Sequence, residues 1–316
     1  MSTPTCPLLQ IGHRLTRLLP RRLTSHNFGY IVTDMIDWSK PSADSCFVQL
    51  GGVRVHFKRA GSGPAILLLH GSGSSMEGFE RVAALLSRSY TVVRPDFPGF
   101  GLTGPRSDRD YRIETYVATM AAFMAALNIE RYSVAGNSLG GNIAWNLALR
   151  HPERLDALVL INATGYPEKS LPAGLRLARN PLLRPLLRHW LPRKATRANL
   201  RSIVGQRSTI VDDAMVDRVH GLMSLPGNRS AFVDLANTNQ ADRSAEIPRI
   251  VAPTLVLRSA GIDGQYFARD ISAAQERIHP VAGHLLPEED PVWVANAIAD
   301  FLNALRDSLR PTRTTP

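Results

Sequence analysis

The stretch 132–150, YSVAGNSLGGNIAWNLALR, holds the residues best suited to chemistry. Gly136-Asn137-Ser138-Leu139-Gly140 fits G-x-S-x-G, with a short apolar run before it and helical spacing after it. In that context a serine stands on a sharp strand-to-helix bend and its hydroxyl projects above a sheet. Glycines at 136 and 140 let strand and helix close around the bend. The N–H of Leu139 lies at the helix start, where developing negative charge is favoured. Ser138 is therefore a candidate nucleophile for attack on a carbonyl. The plain alternative, a glycine-rich turn with an idle serine, would not need this flanking pattern.

A hydroxyl nucleophile needs a neutral imidazole within reach. Of nine histidines, His284 in PVAGHLLPEEDP has the best setting, between a candidate last strand and the final helix. A third group should orient that imidazole and stabilise its cation. Asp263, in the AGID that follows PTLVLRS, is the natural choice, and Asp270 is the alternative seven residues on. Acyl transfer also needs two donors for the oxyanion. The main-chain amides of Ser72, in LLLHGSG, and of Leu139 are assigned that role. His70 in the same loop is read as structural.

These residues must be carried by a scaffold, and the hydropathy pattern supplies one. CFVQL and VRVHFKRA alternate and are joined by Gly51-Gly52, which predicts a hairpin. AILLL (65–69), TVVR (91–94), YSVA (132–135), ALVLIN (157–162) and PTLVLRS (253–259) are short apolar runs. Between them, 78–88, 113–127 and 139–150 read as helices. This alternation predicts βαβ units, a mostly parallel central sheet and flanking helices. RIHPVA (277–282) is the expected last strand and 291–309 the last helix. Residues 166–249 hold Pro-punctuated helical segments without a convincing strand, so a helical insertion is expected after the sixth strand. The predicted layout is an extension over 1–45, an α/β core over 46–165 and 250–316, and a cap over 166–249.

Composition narrows the classes. The chain has 316 residues, 44% apolar and 20% charged, as a folded globular protein should. Two cysteines, Cys6 and Cys46, exclude a disulfide framework and a cysteine-built zinc site. A reducing, cytoplasmic location is the default expectation. No run of about 18 apolar residues is present to span a membrane. The +10 charge is local: residues 166–201 carry nine Lys or Arg against one acid, and residues 1–60 carry eight against three. No nucleic-acid-binding motif accompanies this excess, so nucleic acid is not expected as a partner. The expected partner is a small-molecule substrate, with weak membrane-surface contact through the basic N-terminus and cap as a further expectation.

Taken together, LLLHGSG, VVRPDFPGFGLTG, VAGNSLGG, PTLVLRSAGID and VAGHLLPEEDP resemble the α/β-hydrolase family, in its order of nucleophile, acid and histidine. The resemblance covers roughly residues 45–309. It implies a helical cap over the site, a structural turn around Asp96, Gly99 and Gly101, and no metal or organic cofactor. It implies cleavage of an apolar carboxylic ester through an acyl-enzyme. Carbon–carbon hydrolysis of dienones is an alternative, weakened because Leu285 stands where those relatives carry Trp. A cofactor-free perhydrolase is another, and a slowly turning-over ligand-binding member is an alternative of a different class. The chain departs from the pattern at Arg258-Ser259, where relatives usually have Trp-Gly. The twenty residues between Asp263 and His284 leave little room for a full helix.

Overall fold

The computed structural model describes residues 37–308. Eight strands form one sheet: β1 (Cys46–Leu50), β2 (Val53–Ala60), β3 (Ala65–Leu69), β4 (Thr91–Pro95), β5 (Tyr132–Asn137), β6 (Leu155–Ile161), β7 (Thr254–Ser259) and β8 (Gln275–His279). Their spatial order is β1-β2-β4-β3-β5-β6-β7-β8. β2 runs antiparallel to both β1 and β4, and every later pairing is parallel. Gly51 turns the β1–β2 hairpin with φ +55°, a backbone region open to glycine at little cost.

The continuous apolar runs are explained by burial on both faces. In β3, Leu67 and Leu69 point into one core and Ile66 and Leu68 into the other, the period of two that a strand imposes. The first core is closed by α2 (Ile113–Ala126), through Val117, Met120, Phe123 and Met124, and by α3 (Leu139–Arg150), through Ile143 and Leu147. The second is closed by α1 (Glu80–Leu86), through Val82 and Leu86, and by α11 (Pro291–Ser308), through Val294, Ile298 and Phe301.

Between β6 and β7 the chain forms α4 (Ala173–Arg179), α5 (Arg184–His189), α6 (Arg193–Ile203), α7 (Asp213–Met223) and α8 (Asn228–Asn237), with no strand. Two short helices, α9 (Phe267–Asp270) and α10 (Leu286–Glu289), flank β8. The four residues of α9 are all the helix that the interval before β8 contains.

The last strand is shorter than the sequence pattern suggests. It ends at His279, and residues 280–282 leave the sheet. Pro280 has no N–H to offer a ladder, and the amides of Val281 and Ala282 turn back to Nδ1 of His279 at 3.4 and 2.9 Å. Arg258 and Ser259 lie inside β7 rather than after it. Arg258 reaches across to Glu276 of β8 at 2.8 Å, and Ser259 donates to the Gly283 carbonyl at 2.7 Å. No described helix is long and apolar enough to cross a membrane.

Candidate active site

The parallel strands β3, β5, β7 and β8 end on one side of the sheet, where open α/β sheets place their sites. Ser138 follows β5 and precedes α3. Its φ and ψ are 56° and −114°, a combination that costs a non-glycine residue roughly 1–3 kcal/mol. The surroundings over-determine it: Ser138 N donates to Ile161 O at 3.0 Å, and Ser138 O accepts from the amides of Asn142 and Thr164 at 3.0 and 3.2 Å. A Cβ on Gly136 would stand 2.2 Å from the Gly140 carbonyl oxygen, and one on Gly140 would stand 2.1 Å from that of Leu69. Only glycine fits at either position, so the strained bend is built into the sequence.

The loop after β3 lies against this bend, and a Cβ on Gly71 would sit 3.4 Å from that of Ser138. The ladder between β3 and β5 holds the two in place, with Leu69 paired to Gly136. His70 supports the loop: Nδ1 donates to Gly71 O at 2.8 Å and Nε2 accepts from Phe97 N at 3.0 Å. Both ring nitrogens are thereby occupied, and burial holds the imidazole neutral by lowering its pKa. That is a structural role. Asp96 is likewise a hub: its carboxylate accepts from His56 Nδ1 at 2.7 Å, Met76 N at 2.8 Å and Leu102 N at 2.9 Å. A Cβ on Gly101 would fall 2.0 Å from that carboxylate.

Ser72, Ser138 and His284 line one cavity of about 400 Å³, with mostly apolar walls from α4 to α8 that include Leu187, Leu200 and Phe232. Ser72, Ser138 and Leu139 also line a second cavity of about 380 Å³ on the other side, walled by Asn142, Trp145 and Lys169 among others. The serine thus faces an apolar chamber and a more polar one. Asn137, the residue before it, borders the first chamber, and its buried side-chain amide oxygen has no hydrogen-bond partner among the described residues.

Among the described residues no hydrogen bond joins the His284 ring to Ser138 or to any carboxylate. Its backbone is held instead: the amide donates to Ile203 O of α6 at 2.6 Å. Glu289 ties the same loop to the turn after α6, with one carboxylate oxygen on Gly283 N and the other on Gly205 N, each at 2.8 Å. Asn162, at the end of β6, donates to Gly283 O at 3.1 Å and accepts from Ser259 N at 2.9 Å. Burial, with a smaller contribution from the charge of Lys169, lowers the His284 pKa to about 3. The ring is therefore an uncharged base at neutral pH.

The two candidate acids face other partners. Asp263 is exposed, and its carboxylate accepts from Ser170 Oγ at 2.7 Å and Ser170 N at 3.4 Å. Asp270 accepts from Tyr166 Oη at 2.8 Å and pairs with Arg269. Asp263 and His284 border a common cleft of about 850 Å³, and Lys169 borders it too. The Lys169 ammonium is buried without a hydrogen-bond partner; burial lowers its pKa to about 8, against the opposing pull of Asp263. Sequence reading missed Lys169, Asn162 and Glu289. Only Asn162 leaves a trace in the sequence, as the one polar residue closing ALVLIN. Among the described residues no group of three His, Cys, Asp or Glu lies together as metal ligands would.

The arrangement can hold a carbonyl compound against Ser138, between an apolar chamber and a somewhat more polar one, with a neutral imidazole bordering the first. Residues 64–291 match the family model of the alpha/beta hydrolase fold. Over 151 residues the chain is 38% identical to uncharacterized proteins of Mycobacterium bovis and Mycobacterium tuberculosis, a match that spans 44% of this chain and 44% of each of them. It is 27% identical over 279 residues to the 2-hydroxy-6-oxo-6-(2'-aminophenyl)hexa-2,4-dienoic acid hydrolase of Metapseudomonas resinovorans, covering 84% of this chain and 92% of the relative. Among solved structures, a membrane phospholipase A described as a bacterial virulence factor superposes with a TM-score of 0.69 at 27% identity, covering 83% of this chain and 86% of that one.

Proposed function

Since the chain belongs to the α/β-hydrolase fold family, we propose that it is a serine hydrolase that cleaves carboxylic esters with an apolar acyl part through an acyl-enzyme. The observation that carries the ester reading is the apolar chamber shared by Ser72, Ser138 and His284, since an acyl chain gains most where walls are apolar. In this reading His284 takes the Ser138 proton as the hydroxyl attacks the carbonyl carbon. The amides of Ser72 and Leu139 hold the oxyanion, and such donors can each be worth about 3–4 kcal/mol of barrier. His284 then protonates the leaving alcohol, and a water deprotonated by the same ring releases the acid. Asp263 would orient the imidazolium once freed from Ser170 and drawn across the cleft that both residues border.

A second reading is favoured by one observation. Lys169, whose ammonium is buried without a hydrogen-bond partner among the described residues, lines the second, less apolar chamber, and a cation there suits the acidic end of a substrate. Carbon–carbon hydrolysis of a dienoic acid would use it, as the name of the Metapseudomonas relative suggests. The deciding experiment is a parallel assay of p-nitrophenyl esters of two to twelve carbons and of a 2-hydroxy-6-oxo-dienoate. Ester hydrolysis that depends on Ser138 supports the first reading. Turnover of the dienoate alone would replace it, and a folded protein that neither turns over substrate nor reacts with a fluorophosphonate would point to ligand binding. The cytoplasmic location expected from the cysteine count is tested by cell fractionation.

A further inference from the structure

Four large apolar side chains are exposed within one short stretch of the cap: Leu177 at 45%, Leu182 at 86%, Leu186 at 50% and Trp190 at 58%. The other exposed large apolar residues among those described are scattered through the chain. The spacing is ordered. Leu182, Leu186 and Trp190 stand four residues apart, and the bonds Arg184 N to Asn180 O, Leu187 N to Leu183 O and Trp190 N to Leu186 O carry helical pairing through this stretch. They therefore fall on one side of the segment 182–190, whose middle is α5 (Arg184–His189) and whose last residue, Trp190, closes it in extended backbone. Leu187, on the adjoining stripe, turns inward, packs with Ala178 and Val233, and lines the apolar chamber. One side of α5 walls the chamber, and the other presents leucine and tryptophan to solvent. Leu177 both lines that chamber and is exposed, which places the stripe beside an opening of the chamber.

The segment that carries the stripe is itself basic. No Asp or Glu occurs between Glu168 and Asp212. Arg188, Arg193 and Arg197 are neutralised by Asp234, Asp213 and Asp217 of the cap. Among the described residues, Arg176, Arg184 and Lys194 enter no ion pair, and Arg184 meets only the neutral Asn237 side chain. Single exposed leucines need no explanation, but an ordered apolar stripe with a cationic border is the pattern of a helix that lies in a lipid interface. A second copy of the chain is a poor occupant. A two-fold contact through this face would set the same cations against each other.

We propose that the α5 face of the cap docks on an anionic phospholipid surface, with Leu182, Leu186 and Trp190 in the headgroup layer and Arg176, Arg184 and Lys194 on the lipid charge. The surface lies outside the residues assigned to catalysis, so the proposal stands or falls apart from the hydrolase reading.

The test uses full-length protein carrying Ser138→Ala, so that no lipid is consumed. It is sedimented with vesicles of phosphatidylcholine alone or with about 30 mol% phosphatidylglycerol added to give a negative surface potential. Pelleting is expected only with the anionic vesicles, and it should fall steeply with salt. The triple change Leu182→Ser, Leu186→Ser, Trp190→Ser should reduce vesicle affinity at least about tenfold. The same triple change in the Ser138 background should leave hydrolysis of a short soluble ester within about twofold. A conservative second measurement guards against misfolding: brominated lipid should quench the tryptophan emission of the parent, and Trp190→Phe should remove that quenching while binding persists. Undiminished binding of a folded triple variant, or quenching that survives Trp190→Phe, overturns the proposal. So does a parent dimer that the triple change converts to monomer.

Discussion

Ser170 Oγ donates a 2.7 Å hydrogen bond to Asp263, so the acid placed by sequence order beside His284 is held by the segment that follows β6 instead. Gly264 fixes the contact, because any Cβ there would stand 2.4 Å from Lys169 Cα. The test is a pair of variants. Asp263→Asn should lower ester turnover by about three to four orders of magnitude through loss of imidazole orientation. Ser170→Ala should leave turnover equal or raise it, because it frees the carboxylate. Near-normal activity in Asp263→Asn would remove Asp263 from the mechanism.

The backbone at Ser138 predicts an inversion of the usual glycine effect. Glycine normally costs stability, but at φ 56° and ψ −114° it relieves strain that serine and alanine both carry. Ser138→Gly should therefore be more stable than Ser138→Ala by roughly 1 kcal/mol, with both inactive. Thermal unfolding of the two variants measures this directly, and an alanine variant as stable as the glycine one would show that the bend relaxes.

His284 predicts the pH profile. Its folded pKa is lowered from the ordinary imidazole value to about 3, chiefly by burial. A lowered value keeps the basic form present into more acid solution, and activity is lost only as pH falls through it. The kcat/KM for p-nitrophenyl acetate should therefore stay flat between about pH 8 and 5.5, with its midpoint under the reference value of about 6.5. A midpoint at or above that reference would mean a carboxylate joins the ring in the working enzyme, and Asp263→Asn should then move it down.

Asp96 predicts a stability effect with no part in bond cleavage. Burial pushes its carboxyl up, but the hydrogen bonds from His56 and from the Met76 amide outweigh this and leave it below the ordinary value. The stabilisation is therefore present above the unfolded-state pKa and drains away as pH falls through the folded one. Asp96→Asn keeps the shape and removes the charge and an acceptor, so it should cost roughly 2–4 kcal/mol in urea unfolding at pH 7. A loss under about 0.5 kcal/mol would show that the amide replaces the carboxylate fully.

The sheet was readable from sequence because each strand reports its own environment. AILLL and ALVLIN are apolar at every position since both faces are covered, and Gly136 and Gly140 mark the close approach that shapes the bend. The ties between cap and core were not readable. Glu289 meets Gly205 across 84 positions of sequence, and Asn162 meets Gly283 across 121. Nothing local to either residue encodes the encounter. The same holds for Lys169: a lysine in a loop reads as solvated, and only tertiary packing strips its ammonium of water. Asp263 shows the converse, since its place in the order of motifs identifies it while its hydrogen bonds are set by a neighbour in the cap.

The ladder that pairs Leu69 with Gly136 has a consequence for how this scaffold can change. It spaces the Ser72 and Leu139 amides, the proposed oxyanion donors, and the serine through main-chain geometry. A chimera that exchanged residues 166–249 for another sequence should keep the reacting bend aligned and alter only which molecules are admitted, while the imidazole, moored through Ile203 and Gly205, would have to find new anchorage. Tolerance to such grafts should accordingly be decided at the histidine, not at the serine.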